Sequence, residues 1–429
     1  MPAQQCFALV DCNNFYVSCE RLFRPDLQHQ PVAVLSNNDG CIIARSQEVK
    51  KLGIKMAVPL HQVEALIKRH RVQLFSSNYA LYADISARVM SVLAEYTPAI
   101  EVYSIDESFL DLTGIGDPNP VQYGQRIKKI VGRHTGIPVC VGIGPTKTLA
   151  KLANFAAKKW PQTGGVVDLT CPLRRHKLMC RVPIKEIWGI GSRTSKRLNQ
   201  MGINTAWQLC QQPPDKIQSG FNIVIARTVM ELNGVSCLTL DEIAPTKQQI
   251  VCSRSFKNRI TDFSILAEAL TEFCTCAAEK LRTQHSLAGS LSIFIRTNPF
   301  SAQEPQHRCS ASLRLPSATQ DTRQIVGHSK RLLQQIFKQG YRYQHCAVLL
   351  GDIRPATTPE QLDLFELDAS LFSKDAQTLM ATVDKINQRF PQSINLAACG
   401  TNKRWQYQPQ RLSKHYTTNW QELPQVKCI

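Results

Sequence analysis

The chain has 429 residues, 43% hydrophobic and 20% charged, with 51 Lys plus Arg against 33 Asp plus Glu and a formal charge of +18. These values exclude a disordered chain and a single small core, and predict several globular domains with a polyanionic partner. No run of 18 uncharged apolar residues occurs, and the opening MPAQQCFALVDCNNFY has no basic, long-apolar leader, so neither a membrane span nor an exported protein is expected.

Residues 6–10 (CFALV) form an apolar strand that ends at Asp11, followed by strand-like stretches at 31–36 and 41–44 and a basic helical stretch near 46–52. Leu81, Ile85, Val89, Val92 and Tyr96 recur at helical spacing. In AIEVYSIDESFLDLTG, strand-like flanks at 99–105 and 108–113 bracket Asp106-Glu107 at a hairpin bend. A helix at 121–134, a strand at 137–142 and a helix at 146–159 follow. With 21–78 set aside as an insertion, the order is a split βαβ layout, an antiparallel sheet with helices on one face and the first strand central. Residues 171–240 read as small helices, LDEIAPTKQ at 240–248 as a linker, and 249–351 as a second strand-helix-strand-strand-helix-strand block. The chain turns weakly acidic beyond Asp352 and basic beyond 390. Sixteen cysteines include no CxxC pair, which favours free thiols in a reducing, cytoplasmic setting over zinc.

The chemistry concentrates at few places. Neighbouring carboxylates at a sheet bend repel unless a cation bridges them, so Asp106, Glu107 and Asp11 suit Mg²⁺, with the Cys12 carbonyl as a further oxygen donor. Two such ions could serve in-line phosphoryl displacement. A solvated acidic turn would explain Asp106-Glu107 as well if Asp11 were remote. Tyr16, beside Phe15, is a candidate to pack beneath a nucleotide sugar and exclude a 2′-hydroxyl, and a core aromatic would explain it equally well. Arg45 and Lys158 are candidates to neutralise triphosphate charge. GIGPTKTLAKLANFAAKK (142–159) begins like a phosphate loop but lacks Walker spacing. In PIKEIWGIGSRTSKRLNQMGI (183–203), Gly189 and Gly191 make a tight helical hairpin. Its amides, with Ser192, Arg193 and Lys196, can hold a nucleic-acid phosphate. Arg254, Arg296 and Arg314 dot the strands of the second block as duplex contacts, on a sheet with a solvated face.

DCNNFYVSCERLFRPDL (11–27), SNNDGCIIARS (36–46), SSNYALYADIS (76–86) and YSIDESFLDLTG (103–114) resemble Y-family translesion DNA polymerases. They are most similar to the UmuC-type catalytic subunits of bacterial DNA polymerase V and their plasmid-borne relatives. The resemblance runs essentially the whole chain. It implies an α+β, multidomain fold: a split βαβ (ferredoxin-like) palm at 1–20 and 79–170, fingers at 21–78, a helical thumb with a helix-hairpin-helix-like element at 171–240, and a second split βαβ, the little finger, at 245–352. It implies error-prone synthesis across lesions by two-metal nucleotidyl transfer from dNTPs to a primer 3′-hydroxyl. Asp11, Asp106, Glu107 and the Cys12 carbonyl become metal ligands, and Tyr16 the steric gate. Gln47 and Lys50 stand where many relatives carry a Tyr-x-x-Arg clamp, which shifts the triphosphate role towards Arg45. Gln361, Leu362, Leu364 and Phe365 resemble a sliding-clamp-binding peptide. The tail at 353–429 implies contact with a processed UmuD-type dimer and a RecA filament, and association with the nucleoid during damage. The competing readings are a two-metal nucleotide cyclase and a non-catalytic DNA-repair scaffold.

Overall fold

The computed structural model describes residues 5–115, 119–241, 246–301, 303–357, 374–390, 393–401, 403 and 405–423. Two units make up the chain, Met1–Ala244 with Pro409–Ile429, and Pro245–Gln408.

In the first unit, β1 (Phe7–Cys12) leads to α1 (Phe15–Phe23) through Asn14, whose left-handed backbone (φ 48°) turns the chain sharply. Next come β2 (Val32–Leu35), β3 (Ile42–Arg45), α2 (Gln47–Lys51), α3 (Leu60–Arg69) and β4 (Gln73–Ser76). These strands form a separate three-stranded sheet, β3-β2-β4, over their own core of Leu35, Ile42, Val49, Ile54, Val63 and Ile67. α4 (Tyr79–Ala94) starts where the Asn78 side chain accepts from the Leu81 amide. β5 (Ile100–Val102), β6 (Glu107–Asp111), α5 (Pro120–Thr135), β7 (Val139–Gly144), α6 (Lys147–Lys159) and β8 (Val166–Asp168) follow.

The main sheet runs β5-β6-β1-β7-β8, so β1 is central as its uninterrupted burial demands. The first four strands are antiparallel, and β8 joins parallel to β7 as a fifth strand beyond the expected four. α4 and α5 cover one face with Ala8, Val10, Ile85, Val89, Ile127 and Val141. The two helices of the split βαβ order thus share one face as expected, while α6, which follows that order, packs on the opposite face. Gly142 and Gly144 have no Cβ to hold it away, and an added Cβ at either would strike α6 backbone. These glycines serve close helix–sheet packing.

α7 (Pro172–Met179), α8 (Ser192–Gln200), α9 (Ala206–Cys210), α10 (Pro214–Gly220) and α11 (Ile223–Leu232) share a core with the inner side of α6. The buried Glu231 on α11 accepts from the Thr148 amide at 2.9 Å, placing a carboxylate at the first turn of α6.

Glu20 on α1 is fully buried, and burial pushes its carboxyl up to about 7 although hydrogen bonds from Tyr82 and Ser413 oppose the rise. A carboxyl raised above its ordinary 4.5 on folding contributes stability that is complete below that value and lost as pH rises through about 7. Glu20→Gln is therefore expected to flatten the fall in Tm between about pH 5 and pH 8. Equal slopes for both proteins in buffered thermal melts would disprove this.

The second unit comprises β9 (Ile250–Ile260), α12 (Phe263–Thr283), β10 (Ser286–Arg296), β11 (Arg308–Thr319), α13 (Thr322–Ile336), β12 (Tyr343–Pro355) and α14 (Lys374–Arg389). Its element order repeats that of the main sheet, but its antiparallel strand order, β11-β10-β12-β9, puts the first strand at an edge. Phe263 starts α12 and packs partly buried against the core, which Leu266, Leu270, Phe273, Ala277 and Leu281 enter directly, as their spacing predicts. Arg282 grips Asp384 of α14 with two hydrogen bonds, at 2.6 and 2.8 Å, and Trp405 is buried against Phe256 and Phe273.

Candidate active site

Alternation along FALVDC sends Ala8, Val10 and Cys12 towards α4 and α5 and leaves Phe7, Leu9 and Asp11 on the face that α6 covers. In-register pairing sets Asp11 opposite Glu107, the first residue of β6. Residues paired across strands project to the same face, so the two carboxyl groups face each other at the end of β1. Asp106 occupies the bend before β6. Its carbonyl accepts from the Cys12 amide at 2.8 Å, and its side chain from Ser104 Oγ at 2.6 Å. The nearly hundred intervening residues thus return the acidic bend to the end of β1.

α6 lays its lysines over this face. Lys158 Nζ contacts Asp11, and Lys151 Nζ lies 3.0 Å from Glu107 Oε2 while it covers the Tyr103 and Trp188 rings. Below them Lys147, itself buried, pairs with Glu101. Burial and then the neighbouring Glu107 carboxyl push the Asp11 carboxyl up to about 7 against the pull of Lys158. Burial acts on Glu107 in the same sense, but the interactions with Asp11 and Lys151 hold its carboxyl below the ordinary range. Such splitting marks two acids that ionise together only beside more positive charge.

The oxygens fit a hard divalent cation. Asp11 Oδ1 is buried without a hydrogen-bond partner, and carboxylate oxygens are the donors Mg²⁺ takes. Among the described residues no three acidic, His or Cys side chains close around one point as they stand; Asp106 turns to Ser104, and the Asp11–Glu107 pair is the nucleus of the site.

Around it, Phe15 is buried in the main core, and Tyr16 stacks on Tyr82 at 4.5 Å and meets Tyr79 edge-on. The Arg45 guanidinium donates to the Ile54 carbonyl. Lys50 donates to Asn14 Oδ1 at 2.5 Å. Burial, then Arg45 and Lys158 nearby, hold its ammonium below the ordinary lysine range. The structure therefore gathers Lys50 into the cationic group that the sequence centres on Arg45.

Gly189 takes φ +83°, which a side chain would strain, and Gly191 caps α8. Ser192, Arg193 and Lys196 are exposed, while Ile187, Ile190 and Leu198 anchor the hairpin. In the second unit, Arg296 pairs with Arg308 and His345, and Arg314 with Ser290, on the sheet face away from the helices. Arg308, overlooked in the sequence, lies over the Phe294 ring and extends this group. Arg254 does not join it. Its partner is the buried Cys346, in the row that faces α12, and it is exposed on the edge strand β9. Gln361, Leu362, Leu364 and Phe365 lie outside the described residues.

Comparison with known proteins covers the chain almost from end to end. Residues 10–154 match a family model described as the impB/mucB/samB family, residues 247–364 its C-terminal domain and residues 175–203 its HHH motif. Residues 377–426 match a domain of unknown function, DUF4113. Protein ImpB of Salmonella typhimurium is 46% identical over 97% of this chain and 99% of its own length. Protein UmuC of Salmonella typhimurium strain LT2 is 45% identical over 98% of this chain and 100% of its own. DNA polymerase IV of Moorella thermoacetica is 28% identical over 85% and 90%. Among solved structures, a Y-family DNA polymerase chimera built on Dbh superposes with a TM-score of 0.68 over 82% of this chain and 99% of that one, at 20% identity, and shares its fold. Among the described residues no helix is long and apolar enough to cross a membrane. With agreement of this depth from end to end, the chain belongs to the impB/mucB/samB family, the UmuC-type group of Y-family DNA polymerases.

Proposed function

We propose that the chain carries out error-prone, template-directed DNA synthesis across lesions, transferring a nucleotide from a dNTP to a primer 3′-hydroxyl. The observation that supports this most directly is the in-register apposition of Asp11 and Glu107 beneath Lys151 and Lys158. Residues 1–20 and 79–170 act as the palm, 21–78 as fingers, 171–240 as thumb and 245–352 as little finger. Two Mg²⁺ held by Asp11, Asp106, Glu107 and the Cys12 carbonyl would lower the hydroxyl pKa and neutralise developing phosphate charge. Lys158 and Arg45, with Lys50 beside them, bind the triphosphate as point charges and a fork. The Tyr16 ring sits under the sugar, above Phe15, and leaves no volume for a 2′-hydroxyl. The Gly189–Gly191 hairpin with Ser192, Arg193 and Lys196 holds a backbone phosphate, and Arg296, Arg308 and Arg314 meet the duplex from the second unit; Arg254 contributes only from the edge. The segment with Gln361, Leu362, Leu364 and Phe365 is assigned to a sliding clamp, and the tail to a processed UmuD-type dimer and a RecA filament on the nucleoid.

Primer extension on undamaged and abasic templates, with and without activated RecA and the UmuD-type partner, tests the reading. Extension past the abasic site is expected, and no extension on any template under any of these conditions would overturn it. Tyr16→Ala is expected to raise ribonucleotide use relative to deoxyribonucleotide by about 100-fold or more. An unchanged ratio would remove Tyr16 from the gate.

A further inference from the structure

Residues 409–423 belong to the first unit, and their contacts lead to the ring assigned as the sugar gate. The Ser76 amide donates to the Arg411 carbonyl at 2.8 Å, and the Arg411 amide returns a bond to Ser76 Oγ at 3.1 Å. Two residues on, Ser413 is buried. Its hydroxyl accepts from Asn78 Nδ2 at 2.9 Å and donates to Glu20 Oε1 at 3.1 Å. The Tyr416 ring then stacks on Phe23 of α1 at 4.6 Å and 7°.

Two of these partners, Asn78 and Glu20, also carry part of the gate. The Asn78 side chain that holds Ser413 is the same one that caps α4. Glu20 Oε1 also accepts from the Tyr82 hydroxyl at 2.6 Å, and Tyr82 has no exposed surface. The Tyr82 ring lies under Tyr16 at 4.5 Å and 15°, and Tyr79, the first residue of α4, closes its edge. A ring that excludes one hydroxyl must be fixed to within a fraction of an ångström, since tight packing is what converts shape into discrimination.

We infer that residues 410–416 are a positioning element for Tyr16: through Ser413, Glu20 and Tyr82 the tail fixes the gate against which the nucleotide sugar is measured. This gives part of the DUF4113 match a role inside the nucleotide site. The inference rests on Tyr16 being the gate. Ser413 and Tyr82 are positioning residues, since neither touches the nucleotide. Tyr82→Phe cuts the link at the hydroxyl and keeps the stacked ring; Ser413→Ala cuts it at the tail; Ser413→Thr restores the hydroxyl.

Incorporation of matched ribo- and deoxyribonucleotides by the full chain, together with any accessory proteins that support its primer extension, provides the test. Ser413→Ala and Tyr82→Phe should each raise the ribo-to-deoxyribo ratio about tenfold, with deoxyribonucleotide incorporation within about twofold of wild type, because each loses a hydrogen bond to a buried carboxyl. Ser413→Thr should match wild type. An unchanged ratio in both cut variants overturns the proposal, as does an equal fall in both activities, which would make the tail mere scaffolding. Tyr16→Ala in the same assay separates the two readings. If it relaxes the ratio while the cut variants do not, the gate stands and the positioning role fails; if it does not, both fall.

Discussion

Asp106→Ala with Glu107→Ala is expected to lower nucleotide incorporation by at least about three orders of magnitude and to leave duplex binding within about twofold. The basis is local. Glu107 is the cross-strand partner of Asp11, and Asp106 supplies the carbonyl that fixes the Cys12 amide. Removal of both side chains strips the site of two carboxylates, leaves Asp11 alone against Lys158, and frees Lys151 from its ion pair. The surfaces assigned to DNA, the hairpin at Gly189 and the open sheet face with Arg296 and Arg308, are built from other elements. Single-turnover incorporation beside a fluorescence-anisotropy titration with labelled duplex measures the two effects separately. Incorporation that survives would mean the carboxylate pair is an ordinary solvated turn. Loss of both together would mean the variant had lost its fold.

Gly142→Ala is expected to destabilise the first unit by about 3 kcal/mol and cut incorporation by about 100-fold. A methyl there would lie 2.7 Å from Asn154 Cα and still closer to the Asn154 amide nitrogen and the Ala150 carbonyl oxygen, all backbone atoms with no rotamer to relieve the clash. α6 would have to lift. Asn154, whose amide donates to the Leu9 and Cys140 carbonyls, would lose its place, and Lys151 and Lys158 would move with it. Gly132→Ala is the control. It lies within α5, nothing stands within 4 Å of the added methyl, and helix propensity favours Ala by about 0.5–1 kcal/mol. Opposite shifts in Tm are expected for the two substitutions; equal shifts would show that α6 does not depend on the missing Cβ.

Much of the site was legible because it rests on short-range regularities. CFALV reads as a buried strand and ends at Asp11, and the apolar flanks of Asp106-Glu107 require a bend. The split βαβ order then makes β1 central. Parity also assigns Arg254 correctly once applied, since it shares the alternation of Ile250, Cys252 and Phe256 and so faces the helices. What parity cannot supply is which layer covers which face. The amphipathic pattern of α6 shows that one side is buried, but its placement opposite α5 depends on the two glycines of β7, where side chains are absent rather than present. Lys50 is undervalued in the sequence for a similar reason. Its placement rests on the bond to Asn14 and the nearness of Lys158, contacts between distant segments, and a departure from a family motif gives no sign of them. The contacts of Ser413 and Tyr416 join residues more than 300 positions apart through a polar, aperiodic stretch, and no local pattern announces them.

The entry of residues 409–423 into the first unit has a consequence for how the protein is made. A domain whose residues are contiguous can finish folding while the ribosome is still translating the downstream domains. Here the body that holds Asp11 and Glu107 has to wait, through the whole of the second unit, for a strip of chain that emerges some 165 residues after Ala244. Nascent chains therefore stay incomplete around Glu20 and Tyr82 until residue 416 has cleared the exit tunnel, and a nick anywhere before Pro409 that releases the tail would return the finished protein to that state.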